Sequence, residues 1–110
     1  MNIRIFGVVP VAAALSFSLG GAAALADEGD PSRGEELSRP CAACHGADGN
    51  SPIPTMYPSI AGVDAEVLEQ MLKDFRDGER EEPQMSPQAA NLSDQDIRDL
   101  AAYFAAQEPE

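Results

Sequence analysis

The feature that most constrains this chain is the motif Cys41-Ala-Ala-Cys44-His45, which contains both of its cysteines and its only histidine. Cysteine and histidine are residues that bind metals and carry redox chemistry. Their grouping within one short stretch indicates a single reactive site. Three kinds of site use such a motif: a redox-active dithiol, a structural metal site and an attachment point for a c-type haem.

The rest of the sequence distinguishes between these three sites. A thioredoxin-like dithiol is expected in a βαβ pattern, but β-branched residues are few and no long alternating run is present. Structural zinc needs four ligands, and the chain has only three cysteine and histidine residues. Two thiols one helical turn apart match the two vinyl groups of a porphyrin, and the following imidazole then faces the iron. The motif therefore predicts one covalently attached haem c, through Cys41 and Cys44 with His45 as an iron ligand. A strained local disulfide beside a surface histidine is the alternative.

The N-terminal segment has the pattern of a secretory signal peptide. Arg4 supplies a positive head, residues 5–19 form an apolar run, and the small-residue sequence Ala-Leu-Ala ends at Ala26. We expect cleavage after Ala26, which makes residues 1–26 the signal peptide and residues 27–110 one small exported domain in the periplasm. An uncleaved membrane anchor is the alternative, because the apolar run is nearly long enough to span a bilayer. A proline and a glycine pair interrupt that run.

The chain is strongly acidic. Its net charge of −12 becomes −13 when Arg4 is removed with the signal peptide. This charge argues against binding to nucleic acid or to anionic membranes. It predicts redox protein partners with a basic docking face. Because no second hydrophobic segment follows the first, we expect the mature chain to be a soluble monomer or weak oligomer that does not insert into a membrane. The alternative is that the acidic residues only solvate the surface.

Three helices are predicted from capping residues and apolar spacing. The first begins at Pro31 after the N-cap Asp30 and breaks near Arg39, since Pro40 cannot sit in a helix interior. The second extends from the N-cap Asp64 to a stop at Gly78. Its apolar stripe, with a supporting ion pair between Glu69 and Lys73 on the outer face, consists of Val67, Leu68, Met71, Leu72 and Phe75.

The third helix begins after Ser93, which forms a capping box with Asp96. Carboxylates near its start, including Asp99, complement the helix dipole. Its buried face comprises Ile97, Leu100, Ala101 and Phe104. The segments 46–63 and 79–91 are predicted to be irregular loops. Such long loops in so small a domain are expected only where something organises them, and a large apolar ligand would do so.

The iron needs a second axial ligand or a vacant position, and methionine is the natural candidate because no second histidine exists. We expect Met85, which lies before the last helix between Pro83 and Pro87, because the prolines restrict the free loop. Met71 is more typical of core packing. Met56 lies in a segment expected on the His45 side or at the haem edge. The alternative for Met85 is an incidental residue in an exposed loop.

A ligating histidine usually donates its other ring N–H to a carbonyl or carboxylate. The proline-rich run after the motif supplies carbonyls without a competing N–H. We expect the Pro54 carbonyl as the partner of His45, with Pro52 as the second choice. The alternative is that these prolines only stiffen the loop.

Taken together, the Cys41–Gly46 motif, Met85 and the final segment LSDQDIRDLAAYFAAQ resemble a class I c-type cytochrome. The segments CHGADGNS, YPSIAG and LKDFRDGE are similar to those of dihaem cytochrome halves and of the haem subunit of flavocytochrome c sulfide dehydrogenases. The resemblance covers essentially the whole mature chain. The chain departs from the pattern at Pro40. It also lacks the lysine ring of mitochondrial-type cytochromes, because Lys73 is its only lysine.

The resemblance implies an all-α class I cytochrome c fold, with three main helices and loops wrapped around one covalently attached haem. The first and last helices would cross, with Gly34 and Leu37 meeting Tyr103 and the Leu100 face. It implies a soluble periplasmic electron carrier, not an enzyme, with His45 and Met85 as axial ligands. One alternative is the haem subunit of a larger dehydrogenase, such as a sulfide dehydrogenase. Another is a sensor or peroxidase-like protein with an open sixth position.

Overall fold

The computed structural model describes residues 28–110 and shows a helical fold. The predicted signal peptide and its membrane-anchor alternative lie outside the described residues. No strand occurs between residues 28 and 110, and no helix in this range is long and apolar enough to cross a membrane. The elements in chain order are α1 (Pro31–Leu37), a 3₁₀ turn (Arg39–Cys41), α2 (Ala42–His45), α3 (Ala65–Asp77), α4 (Met85–Ala89) and α5 (Asp94–Ala105).

The first helix begins and breaks where the sequence predicts. The Asp30 carboxylate accepts hydrogen bonds from the N–H groups of Ser32 and Arg33, and Pro31 occupies the first turn. The break lies in the 3₁₀ turn, where the Cys41 N–H donates to the Ser38 carbonyl at 2.8 Å. The proline inside this turn has no N–H to continue the α-helical pattern. The C-x-x-C-H motif therefore follows α1 as a separate helical turn.

The last helix is capped as predicted and supplies most of the core. The side chains of Ser93 and Asp96 each accept the other's backbone N–H, which completes the capping box. The residues predicted for its inner face are all buried: Ile97, Leu100, Ala101 and Phe104.

The helix α3 confirms the predicted bounds and corrects one part of the predicted stripe. Asp64 caps it and Gly78 ends it with a φ of 82°. Leu68 is buried, but Val67 is 49% exposed, so the apolar stripe is narrower than predicted. The predicted pair on its outer face is present, with Lys73 Nζ 3.2 Å from Glu69 Oε1.

The prediction that the segment 79–91 is an irregular loop is wrong in part. The segment contains the short helix α4. Its first turn is stabilised by Glu82, whose carboxylate accepts the N–H groups of Gln84 and Met85. Propensity and apolar spacing did not indicate a helix here because a five-residue helix is too short to show either. The segment 46–63 contains no helix, as predicted.

The helices α1 and α5 cross closely at Gly34, which is buried. A Cβ added at this glycine would clash with the Asp99 carbonyl and would lie 2.8 Å from the Tyr103 Cβ. Leu37 and Tyr103 both pack against the core residues of α5. The predicted crossing of the first and last helices is confirmed.

A buried carboxylate joins the same two helices. Asp99 is 1% exposed and accepts hydrogen bonds from the Asp30 N–H at 2.7 Å, from Arg33 at 2.7 Å and from the Gln95 side chain at 2.8 Å. Arg33 also pairs with Asp96 at 2.7 Å. From the sequence, Asp99 is predicted only to interact favourably with the helix dipole. Its main role in the fold is to hold the start of α1 against α5.

These hydrogen bonds determine the pKa of Asp99. Burial alone would raise it, but the bonds from Asp30, Arg33 and Gln95 outweigh burial, and the pKa is lowered. The folded-state pKa therefore lies below the unfolded value of about 3.9. The ionised carboxylate stabilises the fold above about pH 4, and this contribution is lost as the pH falls through the lowered pKa.

We expect Asp99→Asn to lower the free energy of unfolding at pH 7 by about 1–3 kcal/mol, because charge-assisted hydrogen bonds are lost. It should also flatten the fall in stability between about pH 5 and 3. Urea unfolding of the purified protein, followed by far-UV circular dichroism across this range, measures both effects. Asp94→Asn is the control, since that carboxylate pairs with Arg76 at an exposed position and should matter much less. An unchanged pH slope in Asp99→Asn would contradict this account.

Candidate cofactor site

The structure places the three motif residues together at the C-terminal end of α1. Cys41 ends the 3₁₀ turn, and Cys44 and His45 belong to α2. Both cysteines are half-buried and free, so the structure shows no local disulfide between them. His45 is buried, at 8% exposure. The two thiols and the imidazole thus lie on adjoining helical turns, in the same region of the fold.

The electrostatics of Cys41 do not fit a thiol redox switch. Burial, with a smaller contribution from the neighbouring Cys44, raises the pKa of the Cys41 thiol. Reactive dithiols depend instead on a lowered pKa, because the thiolate is the nucleophile. Cys41 also packs against the core cluster formed by Leu68, Leu100 and neighbouring residues. A group bonded to its sulfur therefore lies beside the apolar core.

The orientation of His45 is set by one hydrogen bond. Its Nδ1 lies 2.8 Å from the carbonyl oxygen of Pro58. Since a carbonyl can only accept, Nδ1 carries the proton, and the lone pair on Nε2 is free to bind iron. Histidine ligands in metal sites are commonly oriented in this way.

The prediction that Pro54, or else Pro52, would accept this hydrogen bond is wrong. The chain makes a turn at this point, in which the N–H groups of Met56 and Tyr57 both donate to the Ile53 carbonyl at 2.9 Å. Pro54 is exposed within that turn. Pro58 follows the turn, and its carbonyl is the one that meets the imidazole. The acceptor is a proline carbonyl, and the turn determines which proline supplies it.

The segment that carries Pro58 is tied to the rest of the fold. The Ser51 hydroxyl donates to the Cys44 carbonyl at 3.1 Å, and the Ile60 N–H donates to the Gly49 carbonyl at 2.7 Å. The Tyr103 hydroxyl, from α5, donates to the Ala47 carbonyl at 2.8 Å. Sequence reasoning gave Tyr103 a packing role only. These bonds fix the position of the carbonyl on which His45 rests.

The three internal methionines occupy different environments. Met85 is half-buried and is the first residue of α4, which packs against α3. Met71 is half-buried on α3 itself. Met56 lies in the exposed turn after the motif, at 65% exposure. Met85 thus lies on the part of the fold formed by α3 and α4. The motif lies elsewhere, directly after α1.

The donor set fits a haem better than a bare metal ion. Among residues 28–110, no three His, Cys, Asp or Glu side chains are grouped so that they could hold a metal ion. Two thiols, one oriented imidazole and a methionine are instead the groups that attach and ligate a c-type haem. Partly buried apolar residues surround the core beside Cys41, among them Leu37, Ile60, Val63, Leu72 and Leu92.

Comparison with known proteins agrees with this chemistry. A family model for cytochrome c matches residues 31–107. The chain is 47% identical over 79 residues to cytochrome c4 of Pseudomonas aeruginosa, a match that covers 72% of this chain and 39% of that protein. It is 45% identical over 83 residues to cytochrome c-554(548) of Halomonas halodenitrificans, covering 73% of this chain and 99% of that protein.

Two further similarities extend this picture. The chain is 44% identical over 73 residues to the cytochrome subunit of sulfide dehydrogenase of Chlorobaculum tepidum, covering 66% of this chain and 64% of that protein. The fold matches the crystal structure of reduced recombinant cytochrome c4 from Pseudomonas stutzeri with a TM-score of 0.70 and 37% identity. That match covers 74% of this chain and 47% of the other.

The chain thus spans less than half the length of the cytochromes c4 that it matches. The family match, in contrast, extends from α1 past the end of α5 and includes the whole helical fold described above. The similarity therefore covers the attachment motif, the segment that orients its histidine and the crossing of the terminal helices: this chain belongs to the cytochrome c family, with the class I fold and haem c as its cofactor.

Proposed function

We propose that the protein is a one-haem electron carrier in which His45 and Met85 are the axial ligands. The observation that carries this proposal is the hydrogen bond between His45 Nδ1 and the Pro58 carbonyl, which leaves Nε2 free for iron. When bound, haem c supplies one-electron chemistry between ferrous and ferric iron. The protein supplies attachment, orientation and an apolar environment.

Each site residue has a distinct role in this proposal. Cys41 and Cys44 would attach the porphyrin, with Cys41 beside the core, and His45 is held in one tautomer and one orientation. Met85 contributes a thioether from α4, and methionine ligation raises the reduction potential. If His45 and Met85 both ligate the iron, a substrate would have no open site on it. This supports a carrier and not an enzyme.

The assignment of Met85 is supported by the environments of the three methionines. Met85 is half-buried, and its backbone N–H is held by the Glu82 carboxylate at 2.9 Å. Met56 lies in a highly exposed turn next to the segment that orients His45. Met71 lies on α3 among the residues of its apolar stripe. This favours Met85 over Met56, because a side chain whose backbone is already fixed loses less entropy when it binds the iron.

We propose further that residues 1–26 are removed and that residues 27–110 act in the periplasm as a monomer or weak oligomer. The positive head, the apolar run and the small-residue end of the N-terminal segment support export. Covalent attachment of haem through a C-x-x-C-H motif fits the same compartment.

The acidic surface supports redox partners with a basic docking face. Several basic side chains in the described residues are already paired with carboxylates: Arg33 with Asp96 and Asp99, Lys73 with Glu69, and Arg76 with Asp77 and Asp94. The remaining carboxylates therefore give the molecule a negative electrostatic field. Such a field steers partners of opposite charge.

A second function is favoured by one observation, the similarity to the cytochrome subunit of sulfide dehydrogenase. In that case the chain would be the haem subunit of a larger dehydrogenase, docked permanently on a catalytic partner. Size-exclusion chromatography of the protein purified from its native cells distinguishes the two functions. We expect a species the size of the free chain, whereas stoichiometric co-elution with a flavoprotein would support the subunit function.

The axial ligand is tested by optical spectra of the ferric and ferrous holoprotein. We expect a low-spin ferric spectrum with a weak sulfur-to-iron charge-transfer band, and we expect Met85→Ala to abolish the band. Met56→Ala and Met71→Ala are the matched controls and should retain it. A band that survives Met85→Ala would refute the assignment, and tight carbon monoxide binding by the unmodified ferrous protein would support an open sixth position.

Export and attachment are tested together by the intact mass of the protein produced in a host that matures c-type cytochromes. The expected mass is that of residues 27–110 plus one haem. Each thiol adds across one vinyl group, so no atoms are lost and no oxidant is needed. Cys41→Ala combined with Cys44→Ala should give the same processed chain without haem. A product that retains residues 1–26 would contradict the cleavage site.

A further inference from the structure

The first turn of α4 is held by a carboxylate that precedes the helix. Oε2 of Glu82 accepts the N–H of Gln84 at 2.7 Å and the N–H of Met85 at 2.9 Å. The Glu82 N–H is 3.1 Å from the Ser86 hydroxyl oxygen, and the Ser86 N–H donates to the Glu82 carbonyl at 2.9 Å. Four hydrogen bonds thus connect Glu82 to residues 84–86.

These bonds take over the role of a helix cap. Gln84 occupies the N-cap position of α4, but its side chain makes no capping hydrogen bond. The N–H groups at the start of a helix have no partner within the helix. Glu82 satisfies two of them with one oxygen, and its negative charge also suits the positive end of a helix. One of these two N–H groups belongs to Met85.

The C-terminal end of the segment that carries α4 is joined to α3. Arg76, near the end of α3, donates to the Leu92 carbonyl at 3.2 Å and to Asp94 at 2.7 Å. Ala89, the last residue of α4, is fully buried. The segment is therefore tied to α3 at its C-terminal end, while at its N-terminal end Glu82 stabilises the turn that contains Met85.

We propose that Glu82 is a positioning residue, which fixes the backbone of Met85 so that its thioether remains bound to the haem iron. This inference rests on the proposed function, in which Met85 is the axial ligand. Glu82 acts through the two N–H groups that it accepts and does not itself touch the cofactor. Its effect is to stabilise the state in which Met85 is bound over the state in which Met85 has left the iron.

The proposal has a consequence for the binding of an added ligand. Imidazole can bind the ferric iron only after Met85 leaves, so its apparent affinity reports the equilibrium between the two states. If the Glu82 bonds are lost when Met85 leaves, removing the carboxylate favours the open state. If they persist in both states, Glu82 is only structural, and the affinity for imidazole does not change.

The experiment compares three variants of the ferric holoprotein by imidazole titration. Glu82→Ala removes the acceptor, and we expect its apparent Kd for imidazole to be about fivefold lower than that of the unmodified protein. This factor corresponds to about 1 kcal/mol, the usual loss for a helix cap. Glu82→Gln retains a side-chain oxygen that can accept both N–H groups, so its Kd should lie between those two values.

Glu81→Ala is the matched control, since it makes the same change in charge at the adjacent position. Glu81 is exposed and makes no side-chain hydrogen bond within the part of the chain that the structure describes. Its apparent Kd should stay within about twofold of the unmodified protein, well below the change expected from a lost cap. Urea unfolding of each variant, without imidazole, separates loss of the cap from loss of the whole fold.

The outcomes distinguish this inference from the proposed function. A Glu82→Ala protein that is folded and has an unchanged imidazole affinity would overturn the positioning role. An equal change in Glu81→Ala would show that only charge matters, which also overturns it. Met85→Ala should bind imidazole far more tightly than any of these variants. If it does not, the axial assignment itself fails, independently of Glu82.

Discussion

The buried carboxylate of Asp99 is the interaction on which the rest of this fold depends. It joins the N-cap residue of α1, the Arg33 side chain and the last helix at one point. The haem-attachment motif continues directly from α1 through the 3₁₀ turn. Fixing α1 against α5 therefore also fixes where Cys41 and its neighbours lie. A charge buried without partners would be strongly unfavourable. Here three donors satisfy the Asp99 carboxylate, which fixes α1 against α5 at one point.

The two proposed axial ligands are held by different means. On the His45 side, a helix-free segment is fastened by single hydrogen bonds, and a proline carbonyl sets the tautomer of the imidazole. On the Met85 side, the backbone is fixed by a capped helical turn. Both solutions restrict the ligand before the iron is bound. For an electron carrier this matters, because ligands that stay in place keep the rearrangement between oxidation states small.

Much of this fold can be predicted from the sequence, because its main signals are local. Caps at Asp30, Asp64 and Ser93 act within three residues, and the C-x-x-C-H motif is contiguous. The failures concern contacts between distant segments. Which proline meets His45 depends on a turn, and two partners of Asp99, Asp30 and Arg33, come from the start of α1. The helix at Met85 gives no sequence signal, because five residues show no apolar spacing and Glu82, which caps it, lies outside the usual capping position.

The hydrogen bond between Asp30 and Asp99 also closes a loop, since it joins residues separated by 69 positions. The attachment motif and Met85 both lie inside this loop. The entropy lost on closing a loop grows with its length. A haem bonded at Cys41 and ligated by Met85 would cross-link two residues inside this loop. The length of free chain between Asp30 and Asp99 would then be shorter. The order of assembly thus matters: a polypeptide that has already received its haem loses less entropy when its terminal helices meet.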